Sequence, residues 1–261
     1  MITVTVATAD LGGFPAGQKA HPLVIERAAQ VLRKEHGGLI VDSFVTRCGG
    51  RLACVFTHDH GADDPRIADL TARLMEECRT LSGSLGLRGS GKVGRADLPV
   101  ESGEGVLVFL SSGAGFGAWS EVLARIFADP YTTPALVDDP LLRQGFAFTC
   151  SDGGVYPTPS GFYALLGHIR GGASVVKVEG QEKTVAAVGP GTDPVLLLGT
   201  GRGCPPVAGV LAAVAVSGLM PVSLCDAVPV CAKAVCLGFG VHEGMLIGPA
   251  DLFDDPAFRR L

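Results

Sequence analysis

No apolar run in this sequence approaches the roughly 20 residues that a membrane-spanning helix needs. The most apolar stretch, PPVAGVLAAVAVSGLMPV at 205–222, is broken by proline and glycine and reads as core. The first ten residues, MITVTVATAD, lack the basic region and following apolar run of a signal peptide. The expectation is a cytoplasmic protein with no membrane partner. A basic surplus is also missing. Lys and Arg number 21 against 26 Asp and Glu, a net charge of −5, which argues against a nucleic-acid partner and the basic face it needs. Eight cysteines are present, yet none are paired as C-x-x-C. A zinc framework is therefore poorly supported, and the thiols read as small buried hydrophobes in a reducing compartment.

What is there suits one large domain spanning residues 1–261. Hydrophobic residues make up 47% of the chain and the mean hydropathy is +0.37, enough for a generous core or an oligomer interface. No linker or internal repeat is visible. Residues 2–8 alternate as a strand does. Pro22 opens a helix with Val24, Ala28, Val31 and Leu32 at helical spacing, and Gly37 stops it. Strands at about 39–46 and 51–57 are joined by the turn signal RCGG. Asp64-Pro65 opens a second helix to about Leu81. GVLVFLSS at 105–112 reads as a buried strand. Ser120 is expected to cap a short helix that buries Trp119, Val122, Leu123, Ile126 and Phe127. The second half, with ASVVKV, PVLLLG and AVCLGFGV, reads as mostly strand. The class is mixed α/β with antiparallel hairpins.

Two nucleotide-binding motifs are tempting. GLRGSGKVGR at 86–95 contains G-x-x-x-x-G-K, but Val93 stands where a P-loop needs Ser or Thr for Mg²⁺. A helix precedes it, where a P-loop needs a strand. Gly113-x-Gly115-x-x-Ala118 follows a strand and opens a helix, with Asp138 some distance on, which matches a dinucleotide fingerprint only weakly.

Several stretches together resemble one family, the archaeal-type fructose-1,6-bisphosphate aldolase/phosphatases. They are ADLGG…HP (9–22), THDHG (57–61), GLRGSG (86–91), GAW…LARIFADPYTTPALVDDP (117–140), DPV (193–195), GLMPVSLCDA (218–227) and GPADLFDDPAF (248–258). They run in family order. The resemblance implies an α-β-β-α layered sandwich and a homo-oligomer with sites near subunit boundaries. It also implies several Mg²⁺ ions on carboxylates and a Schiff-base lysine assisted by a tyrosine. The chain reads as shorter than a full family member, lacking a segment before GLMPV and a C-terminal tail.

Carried over residue by residue, much of that machinery is replaced. Asp10 matches the first metal-binding Asp, and the metal His falls on Gly17. His21 matches another His, just before the helix. The Asp-Asp pair falls on Gly50 and Arg51, the ligating Gln on Lys92, and a nearby Tyr on Arg88. A further metal Asp falls on Ser112. The Schiff-base Lys falls on Gly191 and the catalytic Tyr on Val188. Of two Asp that follow, the first is Thr192 and Asp193 remains. Asp226 matches a substrate-contacting Asp. Asp10 and Asp193 could hold at most one weakly bound Mg²⁺. The multi-metal phosphatase and class-I aldolase chemistries are expected to be lost or severely impaired.

The replacements run toward positive charge. Arg51, Arg88 and Lys92 suggest a metal-free pocket for a small anionic metabolite, phosphorylated or carboxylated. Catalytic roles are assigned to Lys92, Asp10 and Asp193, and substrate binding to Arg51, Arg88, Asp226 and His21. Desolvation and neighbouring Arg are expected to lower the Lys92 pKa and make it an amine nucleophile or base. Three classes stay open: a divergent enzyme of lyase, aldol or isomerase type, a catalytically inactive metabolite-binding homologue, and a residual Mg-dependent sugar bisphosphatase. Three weaker constellations complete the reading. THDHGADD could ligate a metal through His58 and His60, against a plain loop with Asp64 as helix cap. Cys48 could be a nucleophile if Arg51 lowered its pKa. Ser112 has no visible His partner for a triad.

Overall fold

The computed structural model describes residues 1–13, 19–129, 138–181, 183–190, 193–226 and 231–254. Gly17, Gly191, Thr192 and most of FADPYTTPALVDDP lie outside the described residues.

A four-stranded antiparallel sheet is built from β1 (Ile2–Asp10), β2 (Asp42–Cys48), β3 (Arg51–His58) and β4 (Val93–Val100), in the order β2-β3-β1-β4. Strand alternation sorts β1 into two faces. Ala7 and Ala9 face two helices, α1 (Pro22–Glu35) and α2 (Pro65–Ser84), together with Leu52, Cys54 and Phe56 of β3. Val4 and Val6 face the second sheet. Both helices begin as the sequence suggests, with Pro at the first turn and a side-chain cap. Asp64 accepts from the Arg66 N–H at 2.9 Å, and His21 Nδ1 accepts from the Leu23 N–H at 3.2 Å.

The second sheet has nine strands: β5 (Gly105–Ser112), β6 (Phe146–Cys150), β7 (Val155–Thr158), β8 (Val175–Glu179), β9 (Thr184–Val188), β10 (Leu196–Gly199), β11 (Met220–Pro221), β12 (Lys233–His242) and β13 (Met245–Asp251). Their order is β11-β12-β5-β10-β9-β8-β6-β7, with β13 also on β12. Its outer face carries α3 (Phe116–Phe127), α4 (Phe162–Arg170) and α5 (Val207–Val216) around Trp119, Phe109 and Phe148. Each such fully buried side chain contributes roughly 1.5–3 kcal/mol. Three apolar layers result: helix on sheet, sheet on sheet, sheet on helix. This is the expected α-β-β-α sandwich.

Some local expectations are corrected. Ser120 does not cap α3. The helix starts a turn earlier, with Gly115 as its cap residue, and the buried Ser120 hydroxyl accepts from the Val175 N–H at 2.9 Å. The second half is not almost all strand, because α4 and α5 lie within it. VAGVLAAVAV is apolar on every side, so it shows no helical stripe to read. The hairpin strand β2 sits about two residues later than expected. The dinucleotide motif is a turn: Gly113 has φ +74°, and β5 pairs antiparallel with both neighbours, β10 and β12. A dinucleotide site needs a parallel β-α-β unit. Among the described residues, no helix is long and apolar enough to cross a membrane.

Candidate anion site

The polar residues of interest gather where β1 ends between the two sheets. Asp10 is the last residue of β1 and lies directly opposite Arg51, which in turn lies opposite Cys48 across the hairpin. Thr8, two residues before Asp10, shares its face.

The loop 86–92 closes over Asp10. Its Oδ2 accepts from the Ser90 N–H at 2.9 Å and its Oδ1 from the Gly12 N–H at 3.3 Å. The Asp10 backbone pairs with Gly91 N at 2.9 Å and Lys92 O at 3.2 Å. This backbone-on-backbone approach explains the glycines of GLRGSG and DLGG. A Cβ on Gly89 would stand 2.2 Å from Gly12 N and 2.4 Å from Asp10 O, and Gly12 has φ +79°. Burial pushes the Asp10 carboxyl up, but the bonds from Ser90 and Gly12 and the charge of Arg51 win and hold it below its ordinary value.

Arg51 is only 7% exposed. Its Nη1 donates to Asp193 Oδ2 at 3.0 Å, and Asp193 Oδ1 accepts from the Ala114 N–H at 3.1 Å. Pro194, the next residue, is pinned by Ser111 Oγ at 3.0 Å and Trp119 Nε1 at 2.9 Å on its carbonyl oxygen. The other edge of the guanidinium, Nε and Nη2, is buried without a partner among the described residues, as are the Thr8 and Ser112 hydroxyls. A cavity of 10 Å³ lies here, lined among others by Thr8, Cys48, Arg51, Ser111, Asp193 and Pro194. It has room for about one water-sized body.

The structure thus joins Asp10, Arg51 and Asp193, and hangs Arg88 and Lys92 from the loop clamped to Asp10. Both side chains are exposed. The desolvation invoked for Lys92 is therefore absent. His21 follows Ala20, whose N–H bonds Gly49 O in the hairpin turn at 3.1 Å, but its Nδ1 serves as the α1 cap. Asp226 is exposed in a single turn, Leu224–Asp226, and no hydrogen bond or ion pair joins it to the others among the described residues. Val188 is buried in β9. The Cys48 thiol is pushed up to about 12 by burial and by the Asp193 charge, outweighing Arg51, so it is no thiolate nucleophile at neutral pH. Sequence reasoning missed Thr8, which same-face spacing from Asp10 could have found. It also missed Lys19, whose backbone abuts Gly13.

THDHGADD is a structural loop. Thr5 Oγ1 donates to Asp97 Oδ1 at 2.6 Å, so it must accept from His58 Nε2 at 2.8 Å. Arg66 Nη2 donates to His60 Nδ1 at 3.0 Å, which places the His60 proton on Nε2. The two rings cannot then both offer lone pairs to one metal. Among the described residues, no group of three or more His, Cys, Asp or Glu is placed to hold a metal ion.

Comparison with known proteins fits this architecture. The family model for fructose-1,6-bisphosphatase matches residues 1–156 and 199–261. The chain belongs to the fructose-1,6-bisphosphate aldolase/phosphatase family. The aldolase/phosphatase of Thermococcus kodakarensis is 31% identical, over 98% of this chain and 85% of that protein. Those of Thermococcus onnurineus and Ignicoccus hospitalis are each 30% identical over 98% of this chain, covering 85% and 80% of their own lengths. Asp193 falls in the stretch between the two matched pieces of the family model.

Proposed function

We propose that this family member binds a small phosphorylated or carboxylated metabolite without a magnesium cluster. The observation that carries the reading is three exposed cations on loops packed against a silenced carboxylate, which we take as the mouth of the site. The side chains of Lys19, Arg88 and Lys92 are exposed and have no hydrogen-bond or ion-pair partner among the described residues. Their backbones pack on residues 10–13. Asp10 has both carboxylate oxygens engaged by backbone N–H groups.

The donor set does not fit the magnesium cluster that the family resemblance implies. The oxygens of Asp193 are taken by Arg51 and Ala114, and a buried guanidinium faces the position between the sheets. A divalent cation there meets like charge at close range in a poorly screened environment. No step is derived through such an ion.

Titration calorimetry with glycerol phosphate and with small carboxylates tests the binding. The wild type is expected to bind in the presence of EDTA. The Arg88→Ala/Lys92→Ala variant is expected to bind glycerol phosphate about tenfold more weakly, since exposed charges each contribute up to about 1 kcal/mol. Binding that appears only with Mg²⁺ would overturn the reading.

A second reading adds chemistry. Lys92 is solvent-accessible at the mouth, so its amine can meet a carbonyl and lose water to form an imine, the opening step of lyase or aldol chemistry. Borohydride trapping with carbonyl metabolites, lost in Lys92→Ala, separates this enzyme from a purely binding homologue. Phosphate release from fructose 1,6-bisphosphate with and without Mg²⁺ tests the residual bisphosphatase reading, for which the engaged oxygens of Asp10 and Asp193 give the least support.

A further inference from the structure

We infer that the unpaired edge of Arg51 is a subsite for one monoanionic carboxylate of the ligand, in preference to a phosphoryl group. The inference rests on the proposed anion-binding function and deepens it.

A guanidinium is a rigid planar fork. Nη1 is committed to Asp193 at 3.0 Å. Nε and Nη2 form the opposite, side-on edge, and both are buried without a partner among the described residues. Leaving charged donors unpaired in the interior is costly. Thr8 Oγ1, a third unpaired group, lines the same 10 Å³ cavity. All three donors thus belong to residues that line a space for one oxygen atom. A water-sized body fits that space. A ligand oxygen carrying negative charge makes shorter and stronger bonds to the same donors.

Charge and size select the group. Asp10, Arg51 and Asp193 sum to −1, so a carboxylate leaves the cluster at −2, whereas a phosphoryl dianion leaves it at −3 beside the Asp193 carboxylate. In a partly buried site that difference is large. A carboxylate can also insert one oxygen and keep the remainder toward the mouth. Asp193 is the more exposed member of the pair, its side chain 16% exposed against 9% for Arg51. A tetrahedral phosphoryl group presents a wider front to a cavity of one-atom size. Phosphoryl groups are left to the exposed cations Lys19, Arg88 and Lys92.

The test is ¹H–¹⁵N NMR of the Arg51 Nε–H resonance, assigned by its disappearance in Arg51→Lys. Acetate is expected to shift it saturably, and inorganic phosphate is not. Thr8→Val keeps the ion pair and removes one donor. It is expected to weaken acetate about tenfold, the equivalent of one hydrogen bond to a charged group. Arg88→Ala/Lys92→Ala is expected to weaken phosphate and leave the Nε–H response to acetate intact. An Nε–H signal silent to acetate, with phosphate still bound at the mouth, overturns the subsite and leaves the anion-binding function standing. A phosphate shift as large as that of acetate overturns the carboxylate preference. Loss of response to both probes, at Nε–H and by calorimetry, overturns the function as well.

Discussion

At the scale of single residues, the decisive exchange is a buried cation among carboxylates. Arg51 neutralises Asp193 inside the sandwich, so each depends on the other for its burial. Breaking such a pair from one side leaves an uncompensated buried charge, whereas replacing both members is far milder. Arg51→Met is therefore expected to destabilise by about 3 kcal/mol. Adding Asp193→Asn should recover most of that, because an Asn oxygen can still accept from the Ala114 N–H. Urea unfolding of the two singles and the double reads the coupling directly. Equal, additive losses would show that the pair is not coupled. The sequence exposed the identity of these residues, since the family resemblance flags Arg51 and Asp193 as a mismatch and a survivor. It could not expose their partnership. The two positions are 142 residues apart, and only the packing of the small sheet on the large one brings them within 3.0 Å.

At the scale of elements, the parts with a local signal were legible. The alternation of β1, the Pro22 and Asp64-Pro65 helix starts and the GG hairpin turn all rest on short-range chemistry, and all stand in the structure. Two helices were not legible: α5 is too uniformly apolar to show a face, and α4 is only nine residues long. VGRADLPV follows the false P-loop, and its Gly94, Ala96, Leu98 and Val100 are the buried positions of β4. The glycine loop before it mimics a nucleotide motif for a different physical reason, close backbone packing on β1. Gly89→Ala tests this. The added Cβ would meet backbone at 2.2 Å, so a loss of about 2–3 kcal/mol is expected from forced displacement of the loop. The amide resonances of Asp10 and Ser90 should move with it. Gly83→Ala is the control. It lies within α2 with nothing near its Cβ, and a gain of about 0.5–1 kcal/mol is expected from helix propensity. A silent Gly89→Ala would mean that the loop is not held as described.

For the whole molecule, acid is expected to loosen the sandwich in two stages. His58 is buried at the end of β3, and its ring joins β1 and β4 through Thr5 and Asp97. Asp97 is also held by Arg95 Nε at 3.0 Å, and Arg95 reaches the loop before α2 through Ala62 O. Desolvation lowers the His58 pKa below its ordinary 6.5. The Asp97 charge and the nearby His60 backbone oppose the shift, while the His60 ring and Arg95 reinforce it. The native ring thus stays neutral where the unfolded ring would bind a proton. The stability this contributes is fully present above about 6.5 and is lost as pH falls from there through the native pKa. Asp10 acts lower on the scale. Its native pKa lies below the ordinary 3.8, so its contribution holds above that value and disappears as the pH drops through the native pKa. Melting temperature measured from pH 8 to pH 3 is expected to decline first below 6.5 and more steeply below 4. His58→Gln should lower the plateau but flatten the first decline, because the variant has no proton to bind there. The second decline should survive in His58→Gln and weaken in Asp10→Asn. A first decline that persists in His58→Gln would assign the acid sensitivity to other groups and remove His58 as the clasp across β3, β1 and β4.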